Sequence, residues 1–357
     1  MDAIQAKAIR QLLQERRLDG ILVTGLPNVR YLSGYTGSDA TLWVSRRACW
    51  LFTDSRYTTQ ARAEAPDFRV LDYRLKVPEI SRALLGRRVK RLGFEPGRMS
   101  HALFREYRQR LRGVRLVSLP SAFERVRASK TPAEIRKIRH AGDIARRALL
   151  EVMPLLKPGA RERDLALELE HLMKRRGADQ VPFSTIVASG QRGALPHGVA
   201  SGKKLKAGEL VTLDFGCSYL GYNSDQTLTL CLGRPSERQA RIYEVVREAQ
   251  ARAIAAIRPG ARLKEVDRIA RDYIREQGFG RYFGHGLGHG VGLEVHEEPV
   301  LGPRSKGRLE AGMVVTVEPG VYIPGWGGVR IEDMVAVTAT GARMLTRSSG
   351  PLRVLPI

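Results

Sequence analysis

Four carboxylates stand on strands whose other residues are built for burial. In VTLDF, Val211 and Leu213 point one way and Thr212 and Asp214 the other, because successive strand side chains alternate faces. An aspartate there is costly unless it is paired or holds a metal. Asp225 in GYNSDQTLTL leads into a second apolar run, and Glu318 sits in VVTVEPG. Glu332, in GVRIEDMVAV, shares a face with Arg330. Each alone reads equally as a strand-end carboxylate with an arginine partner. Three of the seven histidines, His285, His289 and His296, fall within GHGLGHGVGLEVHEEP. Glycines around the first two let the chain approach a ligand closely. His197, in ALPHGVASG, precedes the first carboxylate strand.

An internal repeat positions these residues. LLKPGARERDLALELEHLMKRRGA (155–178) matches AIRPGARLKEVDRIARDYIREQGF (256–279), each a Pro-Gly turn followed by an amphipathic helix. AGELVTLDFGCSY (207–219) matches AGMVVTVEPGVY (311–322), which puts Asp214 and Glu318 at the same repeat position. Two similar α/β halves facing one another would each deliver a carboxylate into the cleft between them. Ahead of the repeat, Thr131-Pro132-Ala133-Glu134 is a capping box with proline at the first helical position. The helix after it turns Ile135, Ile138, Ala141, Ile144 and Ala145 inward. The domain boundary therefore falls near 122–131, dividing the chain into 1–125 and 126–357. In the first part a helix with Ile4, Ala8, Ile9, Leu12 and Leu13 on one face precedes the strand GILVTG. A turn-rich LPNVRYLSGYTGSDA, the strand CWLFTD, a helix from Arg56 and short strands near RVLDY, RLGFE and VRLVS complete an α/β pattern.

Four carboxylates about 4 Å apart repel by roughly 4 kcal/mol per pair at an effective dielectric near 20. Two divalent cations would cancel that charge. Four oxygen-donor residues and one imidazole make a fairly hard set, suited to manganese, cobalt or iron more than to a structural zinc. Two such ions can bridge a water, lower its pKa towards neutrality and polarise a carbonyl.

The motifs LDFG, SDQTLT, GHGLGHGVGLEVHE, TVEPGVY and GGVRIED, in this order over 180–335, resemble those of the pita-bread metallopeptidases. That family includes aminopeptidase P, prolidase and methionine aminopeptidase. The N-terminal third, with NVRYLSGYTGS and FTDSRY, is similar to the creatinase-type N-terminal domain. The resemblance implies an α/β (α+β) fold: a creatinase-like α/β domain, then a pita-bread domain with pseudo-twofold symmetry. It implies two divalent ions, most simply Mn2+ with Co2+ or Zn2+ as alternatives. Asp214 would chelate one ion, Asp225 and Glu332 would bridge both, and His289 and Glu318 would hold the other. Glu318 would also shuttle a proton. His197 and His296 would bond the substrate and the tetrahedral oxyanion, His285 would line the pocket, and Tyr322 and Arg330 would support the ligands. It further implies a homodimer and a peptide substrate with proline second, cut by a metal-bridged hydroxide. Many prolidases carry arginine just after the His-Glu segment, where this chain has Val300. That departure favours an Xaa-Pro aminopeptidase; the alternative is an Xaa-Pro dipeptidase, with Arg304 standing in for the missing arginine. A non-catalytic nucleic-acid or protein-binding relative is the distant alternative, and the intact ligand set argues against it.

The rest of the composition excludes more than it assigns. A net charge of +23 raises a nucleic-acid partner, but the basic residues are dispersed and aromatics are only 6%, so no stacking platform is present. No run of about 18 apolar residues could span a membrane. The N-terminus lacks the apolar core of a secretion signal. Three scattered cysteines, Cys49, Cys217 and Cys231, read as small buried hydrophobes in a reducing compartment, and a cytoplasmic enzyme is expected. No GxGxxG or GxxxxGK[ST] supports a nucleotide site.

Overall fold

Gln5, Ile9 and Leu13 form the buried side of the first helix in the computed structural model, which describes residues 3–357. This corrects the expected face. Ile4 is 61% exposed, and the polar Gln5 turns inward because its side-chain amide donates to the Tyr31 carbonyl at 2.7 Å. Two compact units divide the chain, one ending at Arg127 and the other spanning Ala128–Ile357.

The first unit carries helices α1 (Ala3–Glu15), α2 (Leu26–Ser33), α3 (Thr58–Glu64), α4 (Lys76–Gly86) and α5 (His101–Arg110), with α6 (Ala122–Ala128) at its end. Its strands are β1 (Gly20–Val23), β2 (Thr41–Val44), β3 (Cys49–Asp54), β4 (Arg69–Tyr73), β5 (Arg91–Phe94) and β6 (Arg115–Ser118). They form one mixed sheet in the order β4-β3-β2-β1-β5-β6. One element, α2, lies inside the segment expected to be turn-rich, and β2 follows directly after it. Pro27 is tolerated in the first turn of α2, and Gly34 ends it at φ +82°, a conformation that glycine adopts without strain. The turn residues that suggested a loop are thus the helix's own punctuation.

The second unit opens on α7 (Pro132–Val152), where the Thr131 hydroxyl accepts from the Glu134 amide and the Glu134 carboxylate accepts from the Thr131 amide. After it come α8 (Glu162–Arg175), β7 (Ile186–Ser189), β8 (Leu210–Phe215), β9 (Ser218–Tyr219), β10 (Tyr222–Asn223) and β11 (Gln226–Leu232). The other half holds α9 (Glu237–Ala255), α10 (Leu263–Glu276), β12 (Gly288–Gly290), β13 (Glu297–Leu301), β14 (Val314–Val317), β15 (Gly320–Ile323), β16 (Gly327–Arg330), β17 (Asp333–Val337) and β18 (Ala342–Met344). The last strand, β19 (Arg353–Leu355), returns to the first half. One sheet is ordered β19-β11-β8-β7 and the other β13-β12-β14-β17-β18.

Strand alternation sorts each half into a core face and a chamber face. Val211 and Leu213 of β8 pack with Ala145, Leu165 and Leu169 of α7 and α8. Val315 and Val317 of β14 pack with Val246, Ala249 and Val266 of α9 and α10. Each fully buried side chain of this kind stabilises the fold by about 1.5–3 kcal/mol. The opposite strand faces carry Thr212 and Asp214, and Thr316. The two halves meet where Thr227 and Glu332 pair: the Glu332 amide donates to the Thr227 carbonyl at 2.9 Å.

Candidate metal centre

Each half supplies two carboxylates, one from each strand of an antiparallel pair. Asp214 lies in β8 and Asp225 immediately precedes its neighbour β11; Glu318 directly follows β14 and Glu332 directly precedes its neighbour β17. Asp225 and Glu332 are therefore repeat-related as well, a correspondence that the shorter sequence alignment does not reach. All ten side chains singled out in the sequence, His197, Asp214, Asp225, His285, His289, His296, Glu318, Tyr322, Arg330 and Glu332, border one chamber of about 500 Å³. A larger cavity of about 710 Å³ lies beneath the C-terminal segment, but its only carboxylate is Asp143.

The donor atoms fall into overlapping sets: Asp214, Asp225 and Glu332; His289, Glu318 and Glu332; and Asp225, His289 and His296. Within each set the atoms lie within 4.8 Å of one another. His289 Nδ1 is 3.2 Å from the Gly290 carbonyl, which can only accept, so the proton belongs on Nδ1 and Nε2 faces the chamber. That Nε2 lies 3.3 Å from Glu318 Oε1 and 3.7 Å from Asp225 Oδ2. Gly288 keeps this strand in place, since a Cβ there would lie 2.1 Å from the Thr316 carbonyl oxygen.

Two threonines complete the site without having been singled out as site residues. The Thr227 hydroxyl donates to Glu332 Oε2 at 2.7 Å, and the Thr316 hydroxyl accepts from the His289 amide at 3.0 Å. Their signal was their strand position, facing the chamber beside a carboxylate. Arg330 donates to Asp214 Oδ2 at 2.7 Å, to the Tyr322 hydroxyl at 2.9 Å and to the Pro196 carbonyl at 3.1 Å, which ties the loop bearing His197 to the site. Tyr322 thus accepts from Arg330 and donates to His285 Nε2 at 2.9 Å, while His285 Nδ1 donates to the Gly286 carbonyl at 2.7 Å. These partners hold His285 as one neutral tautomer. Burial lowers its pKa further, and burial lifts the Tyr322 hydroxyl to about 12.

The residues fit a cationic occupant. Asp214 Oδ1 is buried with no hydrogen-bond partner, which costs free energy that a cation would recover. Burial and then the neighbouring Asp214 raise Asp225 well above the usual carboxylate range. Burial and then Asp225 do the same to Glu332. Burial also raises Asp214, against the opposing pull of Arg330. Burial pulls His289 down, but the hydrogen bond and charge of Glu318 outweigh it and leave the imidazole at about 9. Glu318 is held low, its bond to His289 overcoming the upward push of burial.

The metal-free protein is therefore expected to lose thermal stability as pH rises. Asp214, Asp225 and Glu332 hold protons in the folded state that the unfolded chain has released, so they destabilise progressively above the ordinary carboxylate range. His289 works the same way: its stabilisation is full below the unfolded value of 6.5 and disappears as pH passes about 9. Glu318 opposes, losing stabilisation as pH falls, and so do His285 and His296, whose values burial lowers, so that their part of the trend rises with pH up to about 6.5 and leaves the net loss clearest above it. Calorimetric Tm between about pH 5 and 9, with chelator and with manganese, checks this. Metal should raise Tm most at the alkaline end; a metal-free Tm that is flat or rises with pH would contradict the assignment.

A creatinase-type α/β unit joined to a pita-bread unit with this ligand set defines a pita-bread metallopeptidase. The chain belongs to metallopeptidase family M24, whose model matches residues 136–339, while that of the creatinase/prolidase N-terminal domain matches 5–129. The family implies divalent metal ions. The chain is 38% identical to the Xaa-Pro dipeptidase of Pyrococcus horikoshii over 98% of both chains. Among solved structures, it superposes on an Xaa-Pro dipeptidase from Bacillus anthracis with TM-score 0.95 and 39% identity, covering 98% of this chain and 99% of the other. An X-Pro aminopeptidase from Thermotoga maritima superposes with TM-score 0.91 and 36% identity, with the same coverage. No helix among the described residues is long and apolar enough to cross a membrane.

Proposed function

We propose that this chain is a dinuclear, metal-dependent Xaa-Pro dipeptidase. Similarity to Xaa-Pro dipeptidases over nearly the full length of both chains carries the choice. It reverses the order of preference that Val300 suggested in the sequence. Two divalent ions held by Asp214, Asp225, His289, Glu318 and Glu332 would supply a Lewis acid and a water acidic enough to attack an amide at neutral pH.

The chain's own groups do the rest. Glu318 is ionised, so it can take a proton and return it to the departing proline nitrogen. His296, its ring 4.2 Å from that of His289, and His197 offer hydrogen bonds at the rim to the substrate carbonyl and the oxyanion that develops from it. Phe183, Ile186, Val199 and Val300 give the chamber apolar walls against which a pyrrolidine ring can pack. Arg330 balances Asp214, and the Tyr322 hydroxyl keeps His285 oriented.

Val300 supports a second assignment, the Xaa-Pro aminopeptidase: it lines the chamber 46% exposed and offers no cation to a substrate carboxylate. The two activities separate on substrate length. With one metal loading, kcat/KM for Ala-Pro is expected to exceed that for Ala-Pro-Ala by about tenfold, the worth of a recognised carboxylate. A preference for the tripeptide would instead establish the aminopeptidase.

A further inference from the structure

A dipeptide leaves a carboxylate one residue past the scissile bond, and that charge needs a cation when it enters a chamber with apolar walls. Val300 supplies none. The wall formed by His285, Gly286 and Val300 also borders a second cavity of about 400 Å³, into which two cations project, Arg271 and Arg304. Arg271 is committed: it donates twice to Asp267, at 2.9 and 2.8 Å, and to the carbonyls of Phe283 and His285 at 2.9 and 2.7 Å. Arg304 lies on the loop after β13, is exposed, and among the described residues forms no ion pair. It also borders a third concavity of about 420 Å³, with Arg262, Lys264, Lys306 and Arg308. No carboxylate lines either of these cavities. Beside the metal chamber there is thus a positively charged recess with one uncommitted guanidinium, next to the position where the apolar Val300 stands.

We propose that Arg304 receives the C-terminal carboxylate of the dipeptide substrate, reaching it past Val300, and so determines specificity for free Xaa-Pro acids. This assignment rests on the dipeptidase activity proposed above. A guanidinium can meet a carboxylate with two parallel hydrogen bonds, which an ammonium at the same place reproduces only in part.

The test compares Arg304→Ala and Arg304→Lys with the wild type on Ala-Pro, its C-terminal amide Ala-Pro-NH2, and Ala-Pro-Ala. Arg304→Ala should lower kcat/KM for Ala-Pro about tenfold or more, mainly through KM, and leave Ala-Pro-NH2 within about twofold. Arg304→Lys should recover part of the loss. Calorimetric titration with the uncleavable reduced-bond analogue of Ala-Pro, as acid and as amide, reads the same discrimination without turnover. The side chain is exposed, so Tm should not change. Equal losses on acid and amide, or no loss on the acid, would overturn the assignment of Arg304 while a wild-type preference for Ala-Pro kept the dipeptidase standing. A wild type that prefers Ala-Pro-Ala would remove the dipeptidase and Arg304's role together.

Discussion

Glu332→Ala is expected to lower kcat/KM by at least about a thousandfold and to strip metal from the purified protein, because the two-ion site proposed above would lose its activated water with a shared ligand. Glu332 is 2% exposed and belongs to two donor sets, one with Asp214 and Asp225 and one with His289 and Glu318. Asp225 also belongs to two sets, but among the described residues only Glu332 shares one with Asp214 and another with Glu318. Its removal also leaves the Thr227 hydroxyl without its carboxylate acceptor. Misfolding is separable from loss of the ligand. Glu332 is one of the carboxylates that repel each other in the empty site, so the metal-free variant should melt no lower than the metal-free wild type at alkaline pH. Metal content by mass spectrometry, kcat/KM under metal saturation and Tm with chelator decide the matter. A variant that keeps both ions and turns over normally would show that Glu332 is not a shared ligand.

The site was more legible in the sequence than the fold around it, for physical reasons. Buried carboxylates are costly, so Asp214, Asp225, Glu318 and Glu332 on apolar strands announced themselves. The alternation that points Asp214 away from Val211 and Leu213 is a local property, and the packing of those two valine and leucine side chains on α7 and α8 follows it. The match of Asp225 with Glu332 was hidden because the turns between paired strands differ in the two halves, so no continuous stretch of sequence aligns them. Thr227 and Thr316 were hidden because a threonine on a strand is ordinary; only its partner, Glu332 in one case and the His289 amide in the other, gives it meaning. In the first unit, α2 was masked by Pro27 and Gly34, which read as turn residues and in fact mark its two ends. Hydrophobicity alone points Ile4 inward; the tertiary bond from Gln5 to Tyr31 is formed by residues 26 apart and leaves no local trace.

Substrate length was the least legible property. The absence of arginine at Val300 is a fact about one position, whereas a carboxylate can be met from any direction that the surrounding loops allow. Arg304 is four residues further along the chain yet borders a recess sharing a wall with the chamber. A one-dimensional motif cannot express that proximity.

Glu318→Gln should keep the fold and lower kcat by about a hundredfold to ten-thousandfold, with a smaller effect on KM. The glutamate is positioned on both sides. Its amide donates to the Leu287 carbonyl at 2.8 Å, and its Oε1 lies 3.3 Å from both the Thr316 hydroxyl and His289 Nε2. Glutamine has the same shape and keeps an oxygen for Thr316, so the strand end has no reason to move. It cannot accept a proton, however, and the departing proline nitrogen then leaves without a donor. It also removes a negative charge from the cluster, which weakens one ion. These two effects separate on titration with metal. If Glu318 is only a ligand, saturating manganese restores kcat; if it also carries the proton, kcat stays low with both ions bound, and the acid limb of the kcat–pH profile that reports its ionisation disappears. Full turnover by Glu318→Gln at measured full metal occupancy would assign the proton to another group.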